Sequence, residues 1–132
     1  MKTAGKTPEN RLSWQEWVKL FEPLGVVGRW NRQQKDTTFR CPLHVIRIEG
    51  VAMTFVPFEL FVEYSFRIQA RCKAPNPMVI QLSNGVGGYL PTDAAIAGGS
   101  YSSKPASTTV GPRSGDLLVE TLVGQINDLF AD

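Results

Sequence analysis

The sequence has only one histidine and two cysteines, and this scarcity limits the metal sites and nucleophiles that the chain can build by itself. His44 lies in an apolar strand pattern, which favours an ordinary strand residue over a ligand. Cys41 and Cys72 are far apart and form no Cys-x-x-Cys motif, so a zinc ribbon is not indicated. We interpret both as reduced, partly buried thiols, with a disulfide as the alternative. None of the serines has a histidine near it in sequence, so a Ser–His triad within the chain is unsupported.

Long apolar runs and blocks of one charge are also missing. The formal net charge is only +2, and Lys and Arg are scattered, so no nucleic-acid partner is expected. No run of about 18 apolar residues predicts a transmembrane helix. Residues 1–11 are polar and give no secretory signal, which leaves the localisation open. The length of 132 residues suits one domain. We therefore expect a disordered lead at residues 1–12 and a single α/β domain at 13–132.

The first predicted element is a helix over residues 14–22. Ser13 and Glu16 form a capping-box pattern at its start, and apolar residues recur at helical spacing along it. Pro23 and Gly25 are expected to end the helix, and residues 26–40 are expected to be irregular. The aromatic stripe on this helix is typical of core or of a docking surface rather than of a ligand site.

The remaining elements predict a small mixed sheet with flanking helices. Residues 43–48 and 51–56 form a hairpin around Glu49 and Gly50. Residues 58–73 alternate as a strand does, yet their charges at i, i+4 steps favour a helix, and we predict a helix over 59–73. Pro75 and Pro77 break the chain before a strand at 78–82. A helical turn at 92–97 and an amphipathic helix at 116–130 follow. The fold class is α/β, with a β-hairpin joined to a parallel β-α-β crossover.

Three side chains are candidates for chemistry. Glu59 follows the buried strand 51–56, and a carboxylate there suits either a helix N-terminus or a divalent metal. Tyr89 ends the glycine-rich run 84–89 (NGVGGY), where the glycines let the backbone bring a phenol into a crowded site. Tyr101 could donate a hydrogen bond to a developing oxyanion. Each residue alone is also compatible with a purely structural role. The loop 84–92 is expected at the carboxyl end of a strand, where α/β proteins place ligands.

These residues, in this order, resemble the C-terminal part of the neutral/alkaline ceramidase catalytic domain, a family of zinc-dependent amidases. The matching landmarks in residues 45–130 are the Pro-Phe-Glu run ending at Glu59, the loop 84–92 (NGVGGYLPT), Tyr101, and the run 106–112 (ASTTVGP). The resemblance implies that Glu59 and Tyr89 are zinc ligands. It also implies that Tyr101 is a catalytic residue that polarises the amide carbonyl. The implied reaction of the complete enzyme is hydrolysis of N-acyl-sphingosine to a fatty acid and a sphingoid base.

The sequence departs from the family pattern at three points. Phe58 stands where the family usually has glycine, and Ser102 stands where it usually has glutamate. The two zinc histidines and the nucleophilic serine of the family belong to an N-terminal portion that nothing here matches. We therefore expect a segment that is inactive alone and does not hold Zn²⁺ stably by itself. Its expected partners are the missing N-terminal portion or further copies of the chain, with a lipid amide as substrate of the complete enzyme. The alternative is a truncated or diverged, non-catalytic α/β domain that acts by association.

Overall fold

A computed structural model describes residues 12–131 of the chain, so all but one residue of the expected disordered lead fall outside it. The elements are α1 (Trp14–Gln33), β1 (His44–Ile48), β2 (Val51–Phe55), β3 (Glu59–Leu60), α2 (Val62–Arg71), β4 (Asn76–Ile80), β5 (Tyr89–Leu90), α3 (Asp93–Ala97) and α4 (Pro112–Leu129), with a short 3-10 helix at Tyr101–Ser103 between α3 and α4. Among these elements, no helix is long and apolar enough to cross a bilayer.

The main sheet has the strand order β1-β2-β4 and confirms the α/β class. β1 and β2 form the expected antiparallel hairpin, with Glu49 in its turn at a φ of 50°. β2 pairs with β4 in parallel, and α2 connects them as the predicted crossover. β4 begins at Asn76 rather than at residue 78, so Pro77 lies inside it. Proline is tolerated there because β4 is an edge strand, where a missing N–H need not break a ladder.

The expectation of a helix over residues 59–73 is wrong for its first three residues and for its last two. Glu59 and Leu60 form β3, which pairs in parallel with β5 in a separate two-stranded sheet. The helix α2 begins only at Val62, after Phe61 as the N-cap. The strand-like alternation of the sequence is real for this short stretch, since Leu60 is buried while Glu59 is half-buried.

The core lies between the sheet, α2 and α4. Fully buried side chains from α2 and α4, such as Ile68, Leu122 and Ile126, meet Ala52 and Val56 from the β2 region. The basic residues of α2 that suggested a helix form ion pairs with α4, at 2.8 Å for Arg67–Asp116 and 2.6 Å for Arg71–Glu120. The charge pattern therefore predicted the right element, and the structure shows that these arginines pair with acids of α4.

The closing helix was predicted from residue 116, and the structure starts it four residues earlier. Pro112 occupies the first turn of α4, where a missing N–H is no loss because that group has no helical partner in any case. The helical turn predicted at 92–97 is α3, whose N-cap Thr92 accepts from the Ala95 N–H. Cys41 and Cys72 are free and half-buried, and burial raises the pKa of the Cys41 thiol.

The predicted end of the first helix at Pro23 is wrong, because α1 continues through Pro23 to Gln33. Its start is as expected, with the Ser13–Glu16 capping box formed in both directions. An internal proline costs about 3 kcal/mol in a helix, so the residues beyond it need other support. The Arg29 guanidinium supplies some, donating to the Thr108 hydroxyl at 2.7 Å. None of the residues of α1 is buried.

Candidate functional site

The site is built on the two-stranded sheet of β3 and β5. Glu59 and Tyr89 are direct partners in its parallel register. The Glu59 N–H donates to Gly88 O at 3.0 Å and the Phe61 N–H donates to Leu90 O at 3.3 Å. Residues that are direct partners in a ladder project their side chains to the same face of the sheet. The structure thus brings together two residues that lie 30 positions apart in the sequence, as the family resemblance requires.

Glycines in the loop before Tyr89 permit this pairing. Gly88 has a φ of 67°, and a Cβ there would lie 2.8 Å from Ser107 O, so both conformation and space favour glycine. A Cβ on Gly87 would collide with the ring of Phe58. These two positions let the loop pass between the Phe58 side chain and the chain near Ser107, and so deliver Tyr89 to its place beside Glu59.

The run 106–112 also takes part in the site. Ser107 O accepts from the Tyr89 N–H at 3.1 Å, and Thr108 forms isolated bridges to Gly88 and Tyr89. The structure therefore packs three of the sequence landmarks against one another. The run 106–112 fixes the backbone of Tyr89 from the side opposite to β3.

Tyr64 positions the far side of the same loop, and the sequence analysis missed it. Its hydroxyl donates to Pro91 O at 2.8 Å and lies 3.4 Å from Pro112 O, and the residue is 1% exposed. Burial, with a further contribution from the charge of Asp116, raises the pKa of Tyr64 to about 12. Its position four residues before the apolar Ile68 on α2 marks it as a core residue. A buried phenol needs a hydrogen-bond partner, which is the signal that could have linked it to a loop.

The Glu59 carboxylate acts on the Tyr89 phenol beside it in the ladder. This interaction is the main reason that the pKa of Tyr89 is raised above its ordinary value, because a neighbouring carboxylate favours the protonated, uncharged phenol. Burial and the negative charge of Glu59 act in the same direction. The two side chains that the resemblance assigns to zinc therefore lie on one face of the sheet and interact electrostatically.

Tyr101 stands beside this pair. Its ring centroid is 6.0 Å from that of Tyr89, with an angle of 74° between the planes, which is the edge-to-face arrangement that aromatic pairs prefer. The side chain is 64% exposed, so its hydroxyl is accessible to a ligand. Glu59, Tyr89 and Tyr101 thus occupy one neighbourhood. The roles that the sequence analysis assigned to them remain predictions.

Phe58 and Ser102, two of the three points at which the sequence departs from the resembled motif, have simple structural environments. Phe58 is 3% exposed and packs against Phe39 at 5.6 Å between ring centroids and against Gly87. It belongs to the core, whereas the adjacent Glu59 is half-buried and reaches Tyr89. Ser102 is half-buried, with its hydroxyl 3.1 Å from the hydroxyl of Ser100.

The chemistry of these donors suits half of a zinc shell. Carboxylate and phenolate oxygens are both possible ligands, but zinc usually takes four ligands, with nitrogen and sulfur prominent among them. Within residues 12–131, no group of three or more His, Cys, Asp and Glu side chains lies together in a way that could hold a metal. Glu59 and Tyr89 can therefore contribute to a metal centre whose remaining ligands come from elsewhere.

His44 does not join the candidate site. It lines a separate cavity of about 910 Å³ with residues of β1 and α4, including Val45, Asp128 and Leu129. Glu59, Tyr89 and Tyr101 are not among the residues that line that cavity. The size of the cavity beside His44 carries less weight than the convergence of polar groups around Tyr89, because a site is identified by its chemistry rather than by its size.

Comparison of the chain with protein-family models, with curated proteins and with solved structures finds no match.

Proposed function

We propose that this chain supplies part of the active site of a ceramidase-like, zinc-dependent amide hydrolase. The observation that carries the proposal is the pairing of Glu59 with Tyr89 in one register of a parallel ladder, where the Glu59 carboxylate raises the pKa of Tyr89. Tyr101, placed against Tyr89, supports it. The substrate class is a lipid amide of the N-acyl-sphingosine type. The remaining catalytic groups come from an N-terminal portion bearing the histidines and the serine.

Each residue has a distinct role in this proposal. Glu59 and Tyr89 would hold the zinc through their side-chain oxygens, and the bound ion would act as a Lewis acid that activates the nucleophile and stabilises charge. Tyr89 must give up its phenolic proton to become a ligand, and the neighbouring Glu59 carboxylate holds the pKa of that phenol above its ordinary value in the metal-free protein. Tyr101 would donate its hydroxyl proton in a hydrogen bond to the amide carbonyl oxygen, where negative charge develops.

The test places the histidine- and serine-bearing portion of a ceramidase-like enzyme upstream of this chain in one polypeptide. Hydrolysis of a fluorogenic N-acyl amide is measured with and without zinc. Activity is expected to disappear in Glu59→Ala and to survive in Glu63→Ala, which removes an exposed acid four residues further along. Hydrolysis that persists undiminished in Glu59→Ala would contradict the proposal. The isolated chain is expected to show neither hydrolysis nor tight zinc binding, because it offers half of the ligand shell.

A specific observation also favours the second candidate function, a non-catalytic domain that acts by association. α1 has no buried residue, and its side away from the body of the protein includes Val27 and Trp30, which are 54% and 62% exposed. Contiguous apolar surface of this kind is typical of an interaction site. Sedimentation over a range of concentrations tests it. A stable dimer that Val27→Glu converts to monomers, without amide hydrolysis in the fused polypeptide, would favour this function over the first.

A further inference from the structure

A second feature of the molecule adjoins the candidate site without being part of it. A groove of about 550 Å³ lies between the first half of α1 and the segment 101–107. Its lining is mostly aromatic and aliphatic, with one charged pair, and consists of Trp14, Trp17, Val18, Phe21, Glu22, Tyr101, Lys104, Ala106 and Ser107. We call this space the α1 groove. Its volume lies within the range of about 300–1,000 Å³ that is typical of small-molecule sites.

Contacts between α1 and the opposite segment fix the width of the α1 groove. Gly25 approaches Ala106 so closely that a Cβ at Gly25 would be 2.6 Å from the Ala106 Cβ. Glu22 and Lys104 form an ion pair at 2.8 Å across the gap. Because both contacts hold the walls near one end of the groove, the space beside Trp14, Trp17 and Val18 is a shaped site rather than a gap left by a loose helix.

The α1 groove is continuous with the candidate site through Tyr101. This residue belongs to the groove lining, and its ring also contacts the ring of Tyr89 at 6.0 Å. Tyr89 is in turn the register partner of Glu59 in the ladder of β3 and β5. A ligand that lies along the groove would therefore bring one of its ends to the hydroxyl of Tyr101 and the neighbouring Glu59–Tyr89 pair.

The length and the apolar lining of the α1 groove suit an extended, apolar occupant. The lining residues of α1 span positions 14–22, which corresponds to about 12 Å along the helix axis. A single extended alkyl chain of medium length is narrow enough and apolar enough for the groove.

We propose that the α1 groove binds the single alkyl chain of an uncharged amphiphile, with the polar head at Tyr101. The apolar lining selects the chain, since burying methylene groups there removes them from water. The Glu59 carboxylate disfavours an anionic head at the Tyr101 end, and the ammonium of Lys104 is engaged by Glu22. The proposal rests on the proposed function only for the position of the head, and it gives that site a chain-length requirement.

The groove carries its own spectroscopic reporter, because Trp14 and Trp17 line it whereas Trp30 is absent from the lining. In metal-free Trp30→Phe protein, fluorescence is titrated with decanamide, with butanamide as the short-chain control and decanoate as the anionic control. Decanamide is expected to give a saturable blue shift, butanamide no shift, and decanoate weaker binding at neutral pH. Far-UV circular dichroism is recorded for each variant to establish that α1 remains helical.

Val18 and Val27 provide a matched pair of variants, since both are valines of α1 and both are 54% exposed, but only Val18 lines the groove. Val18→Glu is expected to weaken decanamide binding about tenfold or more, because a charge then enters the apolar lining. Val27→Glu is expected to leave it unchanged. Phe21→Ala should also weaken binding, and it introduces no charge that could unfold the helix.

Equal losses in Val18→Glu and Val27→Glu, or binding that scales with dimer formation, would overturn the proposal in favour of a surface for a second copy. Decanoate binding as tightly as decanamide would overturn the head-group assignment. None of these readouts involves zinc or hydrolysis. Failure of the groove is therefore distinguishable from failure of the proposed amidase, which depends on Glu59→Ala in the fused polypeptide.

Discussion

The two halves of this molecule are stabilised in different ways. The sheet, α2 and α4 share a core in which side chains such as Ile68 and Leu122 are fully buried. The helix α1, although it is the longest, has no buried residue and is attached by a few polar contacts and one close approach at Gly25. The comparison shows that a segment can form a regular helix without contributing side chains to the buried core. It also shows where a ligand or partner could add stability, because α1 has the most apolar surface left to cover.

Truncating one leucine in the core and one in α1 should give the largest difference in stability between the two regions. Leu122→Ala is expected to lower the free energy of unfolding by about 2–5 kcal/mol, because it opens a cavity in the core. Leu24→Ala, at a position of α1 that is 52% exposed, should change it by no more than about 0.5 kcal/mol. Urea unfolding of both variants measures the difference. Similar losses at the two positions would mean that α1 is part of the core.

Removal of the Tyr64 hydroxyl should lower the free energy of unfolding by less than the leucine truncation in the same core does. Tyr64→Phe loses the hydrogen bond to Pro91 O and is expected to cost about 1 kcal/mol of unfolding free energy. Urea unfolding at neutral pH measures this loss. Because that bond positions the loop of the candidate site, chemical shifts of Tyr89 and its neighbours should change as well. A variant with unaltered shifts there would contradict the positioning role.

The raised pKa of Tyr64 gives this prediction a pH dependence. The group ionises near pH 10 in the unfolded chain and only at about pH 12 in the folded protein. Its contribution is therefore complete below pH 10 and is lost as the pH rises from about 10 to about 12. Unfolding free energy should fall more steeply across this window in the wild-type protein than in Tyr64→Phe. Parallel curves for the two proteins would show that the buried phenol is not the cause.

Removing the Arg29 guanidinium should affect α1 without affecting the core. Arg29→Ala deletes the hydrogen bonds to Thr108, so amide hydrogen exchange in α1 is expected to accelerate while exchange in α4 stays the same. Arg32→Ala, with the same change in charge near the end of α1, is the control. Equal acceleration in both variants would assign the effect to charge rather than to docking.

The smallest effect is expected from the exposed ion pair between α2 and α4. The hydrogen bond from Arg71 lowers the pKa of Glu120, so any stabilisation is present above the ordinary carboxyl pKa and disappears as the pH falls through the lowered value. Because salt screens exposed pairs, Glu120→Gln should matter little at neutral pH and still less in high salt. Urea unfolding at two salt concentrations checks this. A large loss that is independent of salt would contradict it.

The sequence predicted those parts of the fold in which local pattern and tertiary packing agree. The hairpin follows from two β-branched runs around Glu49 and Gly50, and the crossover helix follows from i, i+4 charges. The continuation of α1 past Pro23 could not be predicted, since it depends on contacts with residues more than 70 positions away. β3 and β5 could not be predicted from the sequence either, because a strand of two residues is too short to show a periodic pattern.

The candidate site was predicted from short motifs, and the structure brings its three residues together. The motifs could not predict which other residues bring these three side chains together. Tyr64 and Gly87 act through contacts with loops distant in the sequence. Sequence periodicity identifies such residues only as core or turn positions, so their part in shaping the site emerges from the three-dimensional structure.

The central claim is that Glu59 and Tyr89 form one two-oxygen site, and titration of Tyr89 tests it most directly. The ring resonances of labelled tyrosine, assigned with Tyr89→Phe, are followed by NMR as the pH is raised. The Tyr89 pKa should lie above its ordinary value in the wild-type protein, because the neighbouring Glu59 carboxylate favours the protonated phenol. In Glu59→Ala it should fall back towards that value, while Glu63→Ala leaves it raised. A Tyr89 pKa that is the same with and without the Glu59 carboxylate would contradict the claim.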